Sequence, residues 1–137
     1  MIIYLATPFS NYPDHDKRIS EIRTKLASLI RSHPKAVFVS AIFYYPLVVD
    51  LCPNLKEPPF DWWYETSIKL VEKSDLLYLW NPDNVKSSGT DLELRIAREN
   101  SIPIIDISHK LDLVNLTKMF ESAPDCIDVS GDVNFRG

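Results

Sequence analysis

The stretch from Asp75 to Asn100 constrains the fold more than any other, because it sets a buried strand, a turn and an amphipathic helix in immediate succession. Leu76, Leu77, Tyr78, Leu79 and Trp80 form an apolar and aromatic run of strand length. It closes at Asn81-Pro82-Asp83-Asn84, where proline cannot donate to a sheet and Asn and Asp favour turns. Ser87-Ser88-Gly89-Thr90 then opens a segment with Leu92, Ile96 and Ala97 on one face and Asp91, Arg95, Arg98 and Glu99 around it. In an open parallel sheet, ligands bind outside the carboxyl ends of the strands, and this loop falls there. Glu93 is expected in the first turn of the helix, where unpaired N–H groups and the helix dipole favour a carboxylate, which makes it a candidate nucleophile.

The same alternation runs along the rest of the chain. Ile2 to Ala6 reads as a first buried strand, followed by the loop Phe9 to Asp14. Next comes a helix with Ile19, Ile22, Leu26, Leu29 and Ile30 at three/four spacing, capped by Asp14 or Asp16 and ended at Ser32-His33-Pro34. Ala36 to Ile42 is the second strand, so the first pair is parallel with a right-handed crossover. Residues 43–61 contain four prolines and no sustained period, and read as a long irregular loop with room for one short helical turn, of the kind that serves as a lid or binding segment. Trp62 to Ser74 is helical, Pro103 to Ile107 a fourth strand, and His109 to Glu121 a last helix. Cys126 to Val129 reads as a short edge strand, and Ser130 to Gly137 as a frayed tail. The expected fold is a single α/β domain over 1–137: an open parallel sheet of four to five strands with helices on both faces, flavodoxin-like or Rossmann-like.

Composition narrows the function. With 3 glycines among 137 residues and no GxGxxG or GxxxxGK[ST] pattern, a glycine-rich phosphate cradle is not available. A net charge of −4 without a Lys/Arg block argues against a nucleic-acid polymer as partner and leaves a small nucleotide open. Cys52 and Cys126 lack zinc-ligand spacing, which argues for a reducing compartment. The N-terminal apolar run is short and lacks a basic region before it, and no run reaches the ~20 residues of a membrane helix. The expectation is a cytoplasmic protein that touches no membrane and needs no metal or organic cofactor.

Each candidate residue carries a structural reading beside the chemical one. Thr90-x-x-Glu93 is also a capping box, in which Glu93 secures the helix. Ser87 and Ser88 are N-cap hydroxyls or phosphate contacts, and Gly89 relieves a turn or admits a ligand. Tyr4 is a core aromatic with a satisfied hydroxyl or a partner of Glu93. Phe43, Tyr44, Tyr45, Phe60, Trp62 and Trp63 stack on a base or fill a core or a subunit interface. Asp83 lines a pocket or makes an Asx turn. His15 and His33 are expected at solvated helix ends and His109 as a cap. Thr7 and Ser10 place hydroxyls in the first loop without the dense Ser/Thr/Gly run of a flavin-phosphate loop.

Three pieces, IYLATPFS, the helix leading into SDLLYLW, and SSGTDLE followed by RIARENSIPI, resemble the nucleoside 2-deoxyribosyltransferase superfamily. That superfamily includes nucleoside 5'-monophosphate N-glycosidases and small phage or bacterial relatives of unknown activity. The likeness covers residues 2–107 and implies glycosidic-bond chemistry at a nucleoside or nucleotide. It makes Glu93 the nucleophile that attacks C1' of the sugar, and Tyr4 the tyrosine that holds it. Six positions before Glu93, relatives taking free nucleosides carry Asp and monophosphate hydrolases Ser; Ser87 here leans toward a monophosphate.

Two departures stand out. Where the family has an Asp, eight positions before Asp75, this chain has Ser67, with Glu65 and Asp61 as carboxyls nearby in sequence. No Arg or Lys lies in residues 7–13, the nearest being Lys17 and Arg18. The resemblance also implies a homodimer or larger homo-oligomer. Ser87, Ser88, Gly89, Thr7, Ser10, Asp61, Trp63, Ser67 and Asp83 are the expected substrate contacts. A catalytically silent nucleotide-binding protein, sequestering or sensing a nucleotide, is the rival reading.

Overall fold

A computed structural model of the chain describes residues 1–51 and 60–109, with the side chains of 49–51, 60 and 61 excepted. Its elements are β1 (Ile2–Ala6), α1 (His15–Ser32), β2 (Val37–Val39), a 3-10 turn (Ala41–Tyr44), α2 (Tyr45–Leu51), α3 (Phe60–Glu72), β3 (Leu76–Leu79), α4 (Ser88–Glu99) and β4 (Ile104–Asp106). The expected last helix and edge strand, and the tail 130–137, lie outside the described residues, as does the side chain of Asp61.

All strand pairs are parallel and the order is β2-β1-β3-β4, the flavodoxin-like arrangement expected from the alternation. In register, Val39, Tyr4, Leu77 and Ile104 form one row across the sheet. Because side chains alternate along a strand, this row and Ala6 face one way and pack with Val71 of α3 and Ile96 and Ala97 of α4. Ile3, Leu5, Leu76 and Tyr78 face the other way, against Leu29 of α1 and Ile107. The sheet is thus covered on both faces, and its apolar runs show no polar alternation for that reason.

Local chemistry sets the element ends. Asp14 caps α1 by accepting from the Lys17 N–H at 3.0 Å, and Ser87 caps α4 by accepting from the Thr90 N–H at 3.2 Å. β2 is shorter than its apolar run because the Ala41 N–H leaves the ladder to donate to the Tyr4 hydroxyl at 3.2 Å. The chain then turns into the 3-10 segment instead of continuing to Ile42. Part of the expected irregular loop is also helical. Pro46 sits in the first turn of α2, where its missing N–H costs nothing, and seven residues, about two turns, are too few to display a period.

Two smaller expectations are corrected. Ile30, assigned to the core stripe of α1, is 49% exposed, the core being reached by Ile22 and Leu29. His33, expected in solvent, is buried at the end of α1, with Nε2 3.3 Å from the Tyr78 hydroxyl and Nδ1 3.3 Å from the Leu29 carbonyl. Burial holds its pKa below the ordinary histidine value.

Candidate active site

Glu93 is the one carboxylate among the buried side chains of the described residues. Counting from the Ser87 cap it is the sixth residue of α4, in the second turn and not the first. The capping-box reading therefore fails: the N-cap is Ser87, and Glu93 makes no bond to Thr90. Position 93 falls instead on the stripe Thr90, Glu93, Ala97 that faces the sheet, directly over Tyr4.

Tyr4 donates its phenol proton to Glu93 Oε2, and Ser67 of α3 donates to the same oxygen at 3.2 Å. The Tyr4 oxygen in turn accepts the Ala41 N–H, so a backbone amide, a phenol and a carboxylate form one chain. Among the described residues Oε1 receives no hydrogen bond, and it is the carboxylate oxygen with free lone pairs. Burial pushes the Glu93 carboxyl up to about 7, against the lowering effect of the two hydroxyl donors. Burial and the neighbouring carboxylate push the Tyr4 phenol well above its ordinary value, so it stays a donor. A carboxylate so held is suited to attack an electrophilic carbon once ionised.

A cleft of about 440 Å³ between α3 and α4 brings together four of the expected contacts, Trp63, Ser67, Ser88 and Gly89. Ser67 connects its wall to Glu93, which does not line the cleft itself. Tyr64, Asp91, Leu92 and Arg95 complete the lining and were not singled out from the sequence as site residues. Their only signal was the helical spacing that puts 64 beside 67 and 95 beside 88, 91 and 92.

Gly89 has an ordinary backbone conformation, and an added Cβ would meet nothing nearer than Ser87 Oγ at 3.9 Å. Neither a turn nor packing among the described residues explains the glycine. Ser87 is buried and spends its oxygen lone pair on the cap, while Ser88 is exposed. The Thr90 hydroxyl is buried with no hydrogen-bond partner among the described residues.

The first-loop candidates lie elsewhere. Thr7 is buried, donating to the Trp80 carbonyl at 2.7 Å and accepting from Arg18 Nη2 at 2.6 Å, and so ties β1 to β3. Ser10 is exposed, and its carbonyl lies 3.5 Å from His15 Nε2. Asp83 accepts from Tyr12 at 2.9 Å, and it is Asn81, not Asp83, that turns the loop by pairing with both backbone groups of Val85. A wider cleft, about 640 Å³, includes Asp83, Trp80 and Arg18 beside α1, apart from the Tyr4–Glu93–Ser67 cluster.

The expected aromatic group divides. Phe43 packs against the α1-side core, Tyr45 meets the Phe9 ring at 4.5 Å, and Tyr44, Trp62 and Trp63 form an edge-to-face set.

Sequence reasoning named Arg18 only as one of the basic residues nearest the first loop, and missed its burial. Its side chain is 1% exposed, donates to the Pro8 carbonyl, Thr7 and Glu21, and lies 4.0 Å from the Tyr12 ring and 4.7 Å from the Trp80 ring. No group of three or more metal-ligating side chains occurs among the described residues, and no helix there is long and apolar enough to cross a membrane.

No family model and no curated protein sequence matches the chain. Among solved structures, it is similar to the 2-deoxyribosyltransferase of the psychrotolerant bacterium Bacillus psychrosaccharolyticus. That likeness has a TM-score of 0.55 at 19% identity and covers 77% of this chain and 71% of that one. The parallel β2-β1-β3-β4 sheet covered by helices on both faces is the fold that this chain shares with that 2-deoxyribosyltransferase.

Proposed function

We propose that the chain cleaves the base–sugar bond of a nucleoside 5'-monophosphate, as an N-glycosidase or deoxyribosyltransferase, with Glu93 as nucleophile. The observation that carries this reading is the buried Glu93 carboxylate, anchored through Oε2 by Tyr4 and Ser67, with Oε1 receiving no hydrogen bond among the described residues. Oε1 attacks C1', the C1'–N bond breaks, and the base leaves with the bonding pair and takes up a proton from solvent. The glycosyl ester is then opened at C1' by water or by a second base, which restores the carboxylate. Support for a ligand at the start of α4 comes from Gly89, whose missing side chain leaves room beside exposed Ser88. Backbone N–H groups at a helix N-terminus suit a phosphate. No metal or organic cofactor enters the scheme, and the active species is expected to be a homodimer or larger.

A silent nucleotide binder is favoured by one observation: at the position where the resemblance implies an Asp, Ser67 sets a hydroxyl beside Glu93. Chromatography of free base released from a panel of ribo- and deoxyribonucleoside monophosphates, wild type beside Glu93→Ala, separates the two. Release that disappears in the variant supports cleavage. Binding of a monophosphate without release from any supports the silent binder.

A further inference from the structure

Serine and threonine inside helices usually return their hydroxyl to the carbonyl one turn back. Among the described residues, Thr24 and Ser32 of α1 do so, to Ser20 at 3.1 Å and to Ser28 at 3.0 Å, and Ser74, just past the end of α3, reaches back to Leu70 at 2.8 Å. Ser67 does not. Its hydroxyl turns away from its own helix to Glu93 Oε2, on the neighbouring helix. That oxygen already receives the Tyr4 proton from the sheet. Two donors from two separate elements fix the rotation of the carboxylate plane, which a single donor leaves free. They also favour the charged form, because only an ionised oxygen accepts from both at full strength.

We propose that Ser67 is a positioning residue for Glu93: its hydroxyl locks Oε2, presents Oε1 as the attacking atom and favours the ionised carboxylate. This rests on the reading of Glu93 as nucleophile. The surroundings leave the role to hydroxyls. The titratable group facing Glu93 is Tyr4, from β1; α3 presents Ser67, β4 contributes apolar Ile104 to the adjoining core, and the 3-10 turn offers only the Ala41 amide. The charged neighbours on α4 itself, Asp91 and Arg95, are exposed. Because Ser67 also lines the α3–α4 cleft, a ligand there touches the residue that orients the nucleophile.

The test is a carboxyl-carbon NMR titration of Glu93 in the full chain, its signal assigned by its absence in Glu93→Gln, in wild type, Ser67→Ala and Ser67→Thr. Loss of the donor is expected to move the midpoint upward by roughly half a unit to one unit in Ser67→Ala, and Ser67→Thr to restore it. The acid limb of the base-release rate is expected to move with it. An unmoved midpoint in folded Ser67→Ala overturns the proposal, as does a shift that Ser67→Thr does not reverse, since that traces to packing. If wild type releases no base, the cleavage reading fails, and the NMR titration still decides the role of Ser67.

Discussion

Tyr4 and Glu93, 89 positions apart, meet as donor and acceptor because β1 lies beneath the first half of α4 in the layered sheet. The phenol oxygen is also the acceptor for the Ala41 N–H, so one hydroxyl serves the nucleophile and the end of β2 together. Tyr4→Phe removes both contacts. Base release is expected to fall by one to two orders of magnitude, with its acid limb moved to higher pH. Stability is expected to fall by about 1–3 kcal/mol, since the Ala41 amide is left buried without a partner. Rate–pH profiles and denaturant melts of the same preparation check both parts.

The raised carboxyl of Glu93 fixes the sign of its pH dependence. A carboxyl near 7 when folded and near its ordinary value when unfolded is stabilising below the unfolded value, and that contribution is lost as pH rises through 7. The full span is on the order of 3 kcal/mol. Glu93→Gln carries no charge at any pH, so its stability is expected to gain on wild type between pH 4.5 and 8 while base release disappears. Parallel stability curves across that range count against a strained buried carboxylate. For wild type, base release is expected to rise with pH through about 7 as Glu93 ionises.

How much of this was legible in the sequence depends on whether the signal was local. Strands Leu76–Leu79 and Ile2–Ala6 and helix His15–Ser32 were readable because burial on both faces and a three/four stripe leave local patterns. The Tyr4–Glu93 pairing came through resemblance, and the geometry brings the two side chains together. What escaped was non-local. Nothing local tells that Ala41 gives its N–H to a tyrosine 37 residues earlier and so cuts β2 short. Likewise Arg18, in the first turn of a polar helix start, reads as a surface cation until the loop after β1 folds over it.

Gly89 separates stability from function. Its backbone is ordinary and a Cβ has room, so Gly89→Ala is expected to stabilise the start of α4 by roughly 0.5–1 kcal/mol. If a ligand approaches this backbone, the same methyl raises KM for the monophosphate several-fold. A melt and a KM measured on one variant decide it; a rise in stability with KM unchanged removes Gly89 from the site.

α4 ends in a Schellman motif built on an unfavourable residue. The Ile102 N–H reaches the Ala97 carbonyl at 2.8 Å and the Ser101 N–H the Arg98 carbonyl at 3.2 Å, which puts Ser101 in the left-handed region with φ 57°. Glycine occupies that conformation without a Cβ clash. Ser101→Gly is expected to raise stability by roughly 0.5–1 kcal/mol with no change in base release. Thermal melts at matched concentration measure it.

Arg18 holds the loops after β1 and β3 together with a geometry no other side chain reproduces. Its fork spans Pro8, Thr7 and Glu21 while its plane lies against Tyr12 and Trp80. The bridge to Glu21, whose side chain is 42% exposed, contributes little through solvent screening. The buried bonds to Thr7 and Pro8 carry most of the effect. Lysine keeps the charge but lacks the planar fork, so Arg18→Lys buries an ammonium with fewer acceptors in reach. A loss of roughly 2–4 kcal/mol is expected, greater than for removing the outer bridge alone with Glu21→Gln. If Arg18→Lys and Glu21→Gln cost the same in denaturant melts, the surface pair and not the buried fork is what secures the loop.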